Sequence, residues 1–301
     1  MIKKTSYFKN PEQDKESFQN WVTRLEQHNG YSYDKLSIQT SLGTTQVYGF
    51  NTGNKDLETL LIFPGFRTST LIWDLDRGLQ SLAKKFRIFM VETNGQPNLS
   101  DGNSPSVKSL DYGKWGNEIF EQLGIESAYI AGASFGGLVC MKIALVIPQK
   151  IKASFLLNPG CFRLISLHPI TLYYTLLPSI SPKRKSILKF LDEVVFCKPN
   201  HQLSPQAETL LLDYLELAIK QYKDKTEKPY YMGKQLDNIK VKVHLLVGDA
   251  DPLIPYQKSV SRARKHIKKE LLHVEVFKDV GHGNECYAPC LEYVEKVMLG
   301  G

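Results

Sequence analysis

The sequence predicts an α/β fold built on a mostly parallel sheet of eight strands, with helices on both faces. Three observations lead there. Short apolar runs of strand length alternate with helix-length stretches along most of the chain. Runs in the middle, such as Thr59-Leu-Leu-Ile-Phe63, are apolar throughout, as strands covered on both faces must be. One long stretch, 161–237, breaks the alternation. It offers no clear strand, carries helical runs such as 207–222, and contains prolines at 169, 178, 182, 199, 205 and 229. That is too long for a connection and reads as a helical insertion, a lid, after the sixth strand.

The elements follow in order. Residues 10–29 read as an N-terminal helix, with Phe18, Val22 and Leu25 at helical spacing and Gly30 ending it. Two alternating runs, 36–40 and 45–49, turn at Leu42-Gly43 as an antiparallel hairpin. Strands at 59–63 and 86–91 come next. Asp111 can cap a helix that Gly124 stops. A strand at 127–131 leads to an apolar helix at 136–146, ended by Pro148, and then to a strand at 153–157. Past the insertion come a strand at 241–247, a helix at 256–266, a strand at 271–277 and a last helix at 287–297. The core is therefore 1–160 with 238–301, the first 30 residues being a helical extension.

Composition narrows the function classes. The chain has 301 residues, 42% hydrophobic and 23% charged, an ordinary globular balance. Its net charge of +7 is spread along the chain, and the basic clusters at 182–186 and 265–269 are short. No nucleic-acid motif accompanies them, so no nucleic-acid partner is expected. No apolar stretch is long enough for a transmembrane segment. MIKKTSYFKN is basic, but a polar run follows where the apolar part of a signal peptide would stand. The five cysteines are odd in number and form no disulfide framework, which points to reduced thiols in a cytoplasmic protein.

The chemistry centres on Ala131-Gly-Ala-Ser134-Phe-Gly-Gly-Leu138. Gly-x-Ser-x-Gly alone is weak. A strand before Ser134 and an apolar helix after it supply the strand–turn–helix setting of a nucleophile elbow. Gly132 and Gly136 leave room for the tight turn. A serine nucleophile needs a base. Of seven histidines, His244 and His273 fall inside strands, His266 sits among lysines on a surface helix, and His28, His168 and His201 lie in the N-terminal helix and the insertion. His282, in Val280-Gly-His-Gly283 after the last strand, is the one a loop can present.

An orienting acid should stand in Val247-Gly-Asp-Ala-Asp-Pro252, where Asp249 and Asp251 compete. Two backbone N–H groups should hold an oxyanion. Phe135, the residue after the serine, supplies one, and Phe66, in Pro64-Gly-Phe-Arg-Thr68 after the third strand, supplies the other.

These residues resemble the α/β-hydrolases, and more narrowly bacterial carboxylesterases of the naproxen-esterase type. The matching text is Thr40-Ser-Leu-Gly-Thr-Thr45, Ile72-Trp73, Asp111-Tyr-Gly-Lys-Trp115, Leu123-Gly-Ile-Glu126, Gly132-Ala-Ser-Phe-Gly-Gly137, Gly248-x-x-Asp251-x-x-x-Pro255 and Gly281-His282. The resemblance implies an α/β-hydrolase fold with the triad Ser134, Asp251 and His282, and oxyanion amides at Phe66 and Phe135. It implies hydrolysis of small or medium hydrophobic carboxylic esters with no cofactor and no metal. Two positions depart from the family's pattern: Pro64 replaces the usual histidine of the oxyanion loop, and Glu92 replaces an aspartate.

A carbon–carbon bond hydrolase, lactonase or perhydrolase would use the same triad, and a non-catalytic ligand-binding protein could keep the fold. Ser186-Ile-Leu-Lys189 fits Ser-x-x-Lys but lacks partner motifs. A metal site from His282, Glu285, Cys286 and Cys290 matches no common zinc spacing. The apolar runs 164–167 and 173–177 of the insertion are expected to line an acyl pocket.

Overall fold

The computed structural model describes residues 7–196, 202–223 and 226–300; Cys197 and His201 of the insertion lie outside them. The chain runs α1 (Pro11–Asn29), β1 (Asp34–Thr40), β2 (Gly43–Phe50), β3 (Thr59–Phe63), α2 (Gln80–Ala83), β4 (Arg87–Val91), α3 (Asp111–Gln122), β5 (Ala128–Ala133), α4 (Phe135–Val146) and β6 (Ile151–Leu157). Then follow α5 (Pro169–Ile180), α6 (Arg184–Phe190), α7 (Pro205–Gln221), β7 (Lys242–Gly248), α8 (Tyr256–His266), β8 (Leu272–Phe277) and α9 (Ala288–Met298). The eight strands form one sheet in the order β1-β2-β4-β3-β5-β6-β7-β8. Only the pairings of β2, with β1 and with β4, are antiparallel.

Burial explains the strand compositions. Every residue of β3 and of β4 is buried, so an alternating pattern would have placed polar groups in the core. One face packs Tyr112 and Trp115 of α3, most of α4, and Val260 and Ala263 of α8. The other face packs Phe18, Trp21 and Leu25 of α1, Leu291 and Val294 of α9, and Leu210, Leu211 and Tyr214 of α7. α7 is thus part of the scaffold: the Trp21 indole N–H donates to the Leu210 carbonyl at 2.8 Å, joining α1 to it. α4, apolar nearly all round, packs on β5 and β6 and against α3. Its one fully buried cation, Lys142, donates to the Tyr230 hydroxyl at 2.8 Å and to Gln235 Oε1 at 2.9 Å. Those bonds offset the cost of burying the charge.

Two local expectations shift. β5 runs to Ala133, two residues further than the sequence pattern gave, so the strand delivers Ser134 directly. Asp111 is the first residue of α3 rather than its cap, and the Ser109 hydroxyl oxygen accepts its N–H at 3.1 Å.

Register brings the strand ends level. Phe63 pairs with Gly132, Ala133 with Leu157, Leu157 with Leu246, and Gly248 with Phe277. The loops leaving β3 to β8 therefore share one edge, where ligands of open parallel sheets bind. The turn between β5 and α4 is packed without slack. A Cβ on Gly136 would overlap the Phe63 carbonyl, and one on Gly132 would overlap Gly136 itself. Gly136→Ala is expected to cost about 1–3 kcal/mol by overpacking, the range for an added methyl in a filled site. Calorimetry should read this as a Tm lower by several degrees; an unchanged Tm would show that the turn has room.

Candidate active site

Ser134 stands between β5 and α4 with φ 49° and ψ −106°, a left-handed backbone that side chains rarely adopt. Both of its backbone groups are held: its N–H donates to the Leu157 carbonyl at 2.8 Å, and its carbonyl accepts from Gly160 N–H at 2.8 Å. The residue is forced into the turn because a strand and a helix continue without a linker on either side. Its side chain stands at the N-terminus of α4, whose free N–H groups favour negative charge nearby.

The loop after β7 carries Asp251, which is buried, and the loop after β8 carries His282. His282 Nδ1–H donates to Asp251 Oδ2 at 2.7 Å. A carboxylate only accepts, so the proton is fixed on Nδ1 and Nε2 keeps its lone pair. The other oxygen, Oδ1, accepts from Leu253 N–H at 2.8 Å and Ile254 N–H at 2.9 Å, which sets the carboxylate's angle. Burial pulls the imidazole toward its neutral form. The Asp251 carboxylate outweighs it, with a smaller contribution from Glu285, and the His282 pKa is raised above its ordinary 6.5. Asp249 does something else. Its Oδ1 accepts Asp279 N–H at 2.6 Å, tying the ends of β7 and β8 together.

Asn158, which no motif singled out, joins these loops. It follows β6 with φ 40° and is fully buried. Its Nδ2 donates to the Gly281 carbonyl at 2.9 Å and the His282 carbonyl at 3.0 Å, while its Oδ1 accepts Gly248 N–H at 3.0 Å. A Leu-Asn-Pro-Gly after a strand is the only trace in the sequence, and by itself it reads as a turn.

The loop after β3 faces the serine. A Cβ on Gly65 would lie 3.9 Å from Ser134 Cβ. The rings of Phe66 and Phe135 are in contact, centroids 6.0 Å apart. Among the described residues, the N–H groups of Phe66 and Phe135 donate to no protein acceptor. The loop is braced from β4. Arg67, at φ 59°, donates its N–H to Gln96 Oε1 at 2.6 Å. Ser69 Oγ donates to the carboxylate of Glu92, which is fully buried and whose pKa burial pushes up to about 7. Glu92 thus anchors the loop through Ser69.

Other expectations change. His266 lies on α8, but its ring is enclosed: Nδ1 contacts Asp237 Oδ1 at 2.6 Å and Nε2 the Tyr231 hydroxyl at 2.5 Å. His244 and His273 stack in neighbouring strands, as their strand positions implied. Of the runs 164–167 and 173–177, expected to line a pocket, Leu164, Leu167, Tyr173 and Leu176 are exposed, while Ile165, Tyr174 and Leu177 are half-buried. Cys140, Cys161, Cys286 and Cys290 are free thiols.

Sheet order and strand-end loops give the chain an α/β-hydrolase fold. Residues 58–181 match the family model described as alpha/beta hydrolase fold. The chain is carboxylesterase-like over nearly its whole length. It is 24% identical to carboxylesterase YbfK of Bacillus subtilis over 266 residues, 87% of this chain and 85% of that one. It is 30% identical to an uncharacterized carboxylesterase, nap, of the same organism over 123 residues, 41% of this chain and 40% of that one. Among solved structures, naproxen esterase of Bacillus subtilis superposes with a TM-score of 0.78 at 22% identity, covering 95% of this chain and 98% of that one. Carboxylesterase CesB (YbfK) of Bacillus subtilis gives 0.76 at 19% identity, over 96% and 99%.

Asn158→Ala should leave KM nearly unchanged and lower kcat by about tenfold to a hundredfold, the scale for an orienting group outside the reacting atoms. Equal losses in Tm and in every kinetic constant would mean a structural role only. Glu285→Gln removes a charge that favours the imidazolium, so the acid limb of the kcat/KM profile should move to lower pH; the wild-type midpoint should lie above 6.5. A midpoint that stays fixed would take Glu285 out of the site's electrostatics.

Proposed function

We propose that this chain is a serine esterase that cleaves small or medium hydrophobic carboxylic esters through an acyl-enzyme. The observation that carries the reading is the 2.7 Å bond from His282 Nδ1 to buried Asp251, made at the sheet edge where the strained turn presents Ser134. The similarity to carboxylesterases over 85% of a curated relative supports the substrate class.

The steps follow from the groups present. Nε2 of His282 takes the Ser134 hydroxyl proton as Oγ attacks the ester carbonyl. The carbonyl oxygen gains negative charge and is held by the N–H groups of Phe66 and Phe135, which already stand without protein acceptors. The imidazolium is stabilised by Asp251 and then protonates the leaving alcohol. A water, deprotonated by the same Nε2, attacks the acyl-enzyme; collapse releases the acid and returns the proton to Ser134. Asp251, Asp249 and Asn158 do not touch substrate. The first orients and stabilises the imidazole, and the other two hold the loops.

The segment 161–237 serves in this reading as a cap over the site, with α7 anchoring it to α1 and the sheet. Its ends meet where Met232 N–H donates to the Cys161 carbonyl at 2.9 Å, and Ser166 N–H reaches the Leu253 carbonyl at 2.7 Å beside the acid loop. No helix among the described residues is long and apolar enough to cross a membrane. The free thiols support a reducing compartment, the cytoplasm.

Nitrophenyl esters of graded acyl length test the reading. Ser134→Ala should fold normally and lose about three or more orders of magnitude in rate. Asp251→Asn should lose about a thousandfold, because an amide no longer fixes the Nδ1–H tautomer. Asp249→Asn should lose about tenfold at most, the scale of one hydrogen bond near 1.4 kcal/mol. Near wild-type turnover in Ser134→Ala overturns the mechanism, and a reversed ranking of the aspartates moves the acid.

A further inference from the structure

The exposed large hydrophobic residues are not scattered. Of the nine exposed among the described residues, six lie between 164 and 180: Leu164 at 60%, Leu167 at 77%, Ile170 at 62%, Tyr173 at 58%, Leu176 at 44% and Ile180 at 77% exposure. Four of these belong to α5, whose buried residues are only Thr171 and Pro178. At about 100° per residue, Ile170, Tyr173, Leu176 and Ile180 fall within roughly a third of the helix circumference. α5 therefore turns a continuous apolar stripe to solvent while its other side packs on α6 and on residues 191–196. A patch of that extent on a folded surface marks a contact site.

The charge beside the stripe selects the partner. From Phe162 to Leu191 the chain has no Asp or Glu, but holds Arg163, Lys183, Arg184, Lys185 and Lys189; the first acids beyond are Asp192 and Glu193. Arg184 is paired with Asp213 at 2.5 Å, and Arg163 donates to the Pro255 carbonyl. Lys183, Lys185 and Lys189 are exposed and, among the described residues, make no ion pair. Lys185 and Lys189, four apart on α6, share one face. A second copy of the chain would bring these unpaired lysines together with their equivalents. An anionic surface would neutralise them.

We infer that α5 and the lysines that follow it form an interfacial docking surface for an anionic lipid layer. The apolar side chains enter the headgroup boundary, and Lys183, Lys185 and Lys189 meet the lipid phosphates, the pairing of apolar face and basic flank that such binding requires. The stripe begins next to the catalytic loops, through Gly160 on Ser134 and Ser166 on Leu253. Docking thus places the site against the layer. That this feeds lipid-borne esters to the site rests on the esterase reading; the docking itself does not.

The test is co-sedimentation of the full chain with vesicles of phosphatidylcholine alone or with about 30% phosphatidylglycerol. The chain should bind the anionic vesicles, bind the neutral ones several-fold less, and be released by salt. Ile170→Asp with Tyr173→Asp should lower partitioning at least about tenfold. Lys183→Glu with Lys185→Glu should lose about fivefold or more per lysine on anionic vesicles alone. Both pairs are on the surface and should keep the circular dichroism of wild type. Ser134→Ala should bind vesicles as wild type does, so a failed esterase reading leaves the docking result intact. Absence of binding, or equal binding to both vesicle types at low salt, overturns the inference. So does a dimer in gel filtration that Ile170→Asp with Tyr173→Asp dissolves, because the stripe would then belong to a second copy.

Discussion

The site depends on how four residues at the end of β6, 157–160, grip the turn at Ser134. Leu157 accepts the Ser134 N–H, Gly160 donates to the Ser134 carbonyl, Asn158 holds the histidine loop and the end of β7, and Pro159 packs against Gly137. The left-handed backbone at Ser134 costs of order 1–3 kcal/mol and persists only because its surroundings over-determine it. The same segment that restrains Ser134 also restrains the loop carrying His282. Strain in the turn and alignment of the site therefore have one structural cause.

The sheet turns this local grip into an active-site edge. Because β3, β5, β6, β7 and β8 end in register, each contributes one loop to the same side. The loop after β3, proposed to hold the oxyanion, is stiffened from two further points, Gln96 and Glu92, both fully buried. Amides fixed before the reaction need no reorganisation when charge develops, which is where such sites gain their rate. The imidazole is likewise set in one tautomer by Asp251 before any substrate arrives.

Much of this was legible in the sequence for physical reasons. Fully buried strands must be apolar, so β3 and β4 were visible as runs. A serine between glycines, with a strand and a helix on either side, reads as an elbow because only small residues fit there. Asp249 and Asp251 follow the same strand; the position of Asp251 further out, before Pro252, and the resemblance both favour it, and the structure places that carboxylate on His282. Asn158 was invisible, because a buried asparagine after a strand has no pattern until its partners, over 80 residues away, are brought to it. The apolar runs 164–167 and 173–177 of the insertion were visible too, but an apolar run carries no sign of whether it meets protein or solvent. That answer lay in the neighbours of α5, which cover Thr171 and Pro178 instead.

The most direct measurement is labelling by an organophosphonate followed by mass spectrometry of the digested chain, because it reports the reactive atom without choosing a substrate. A Ser134 made nucleophilic by His282 and Asp251 gives one adduct per chain, on the peptide that contains Ser134, at a rate that falls as His282 is protonated. An unlabelled chain, or an adduct on any other residue, would contradict the assignment of this site.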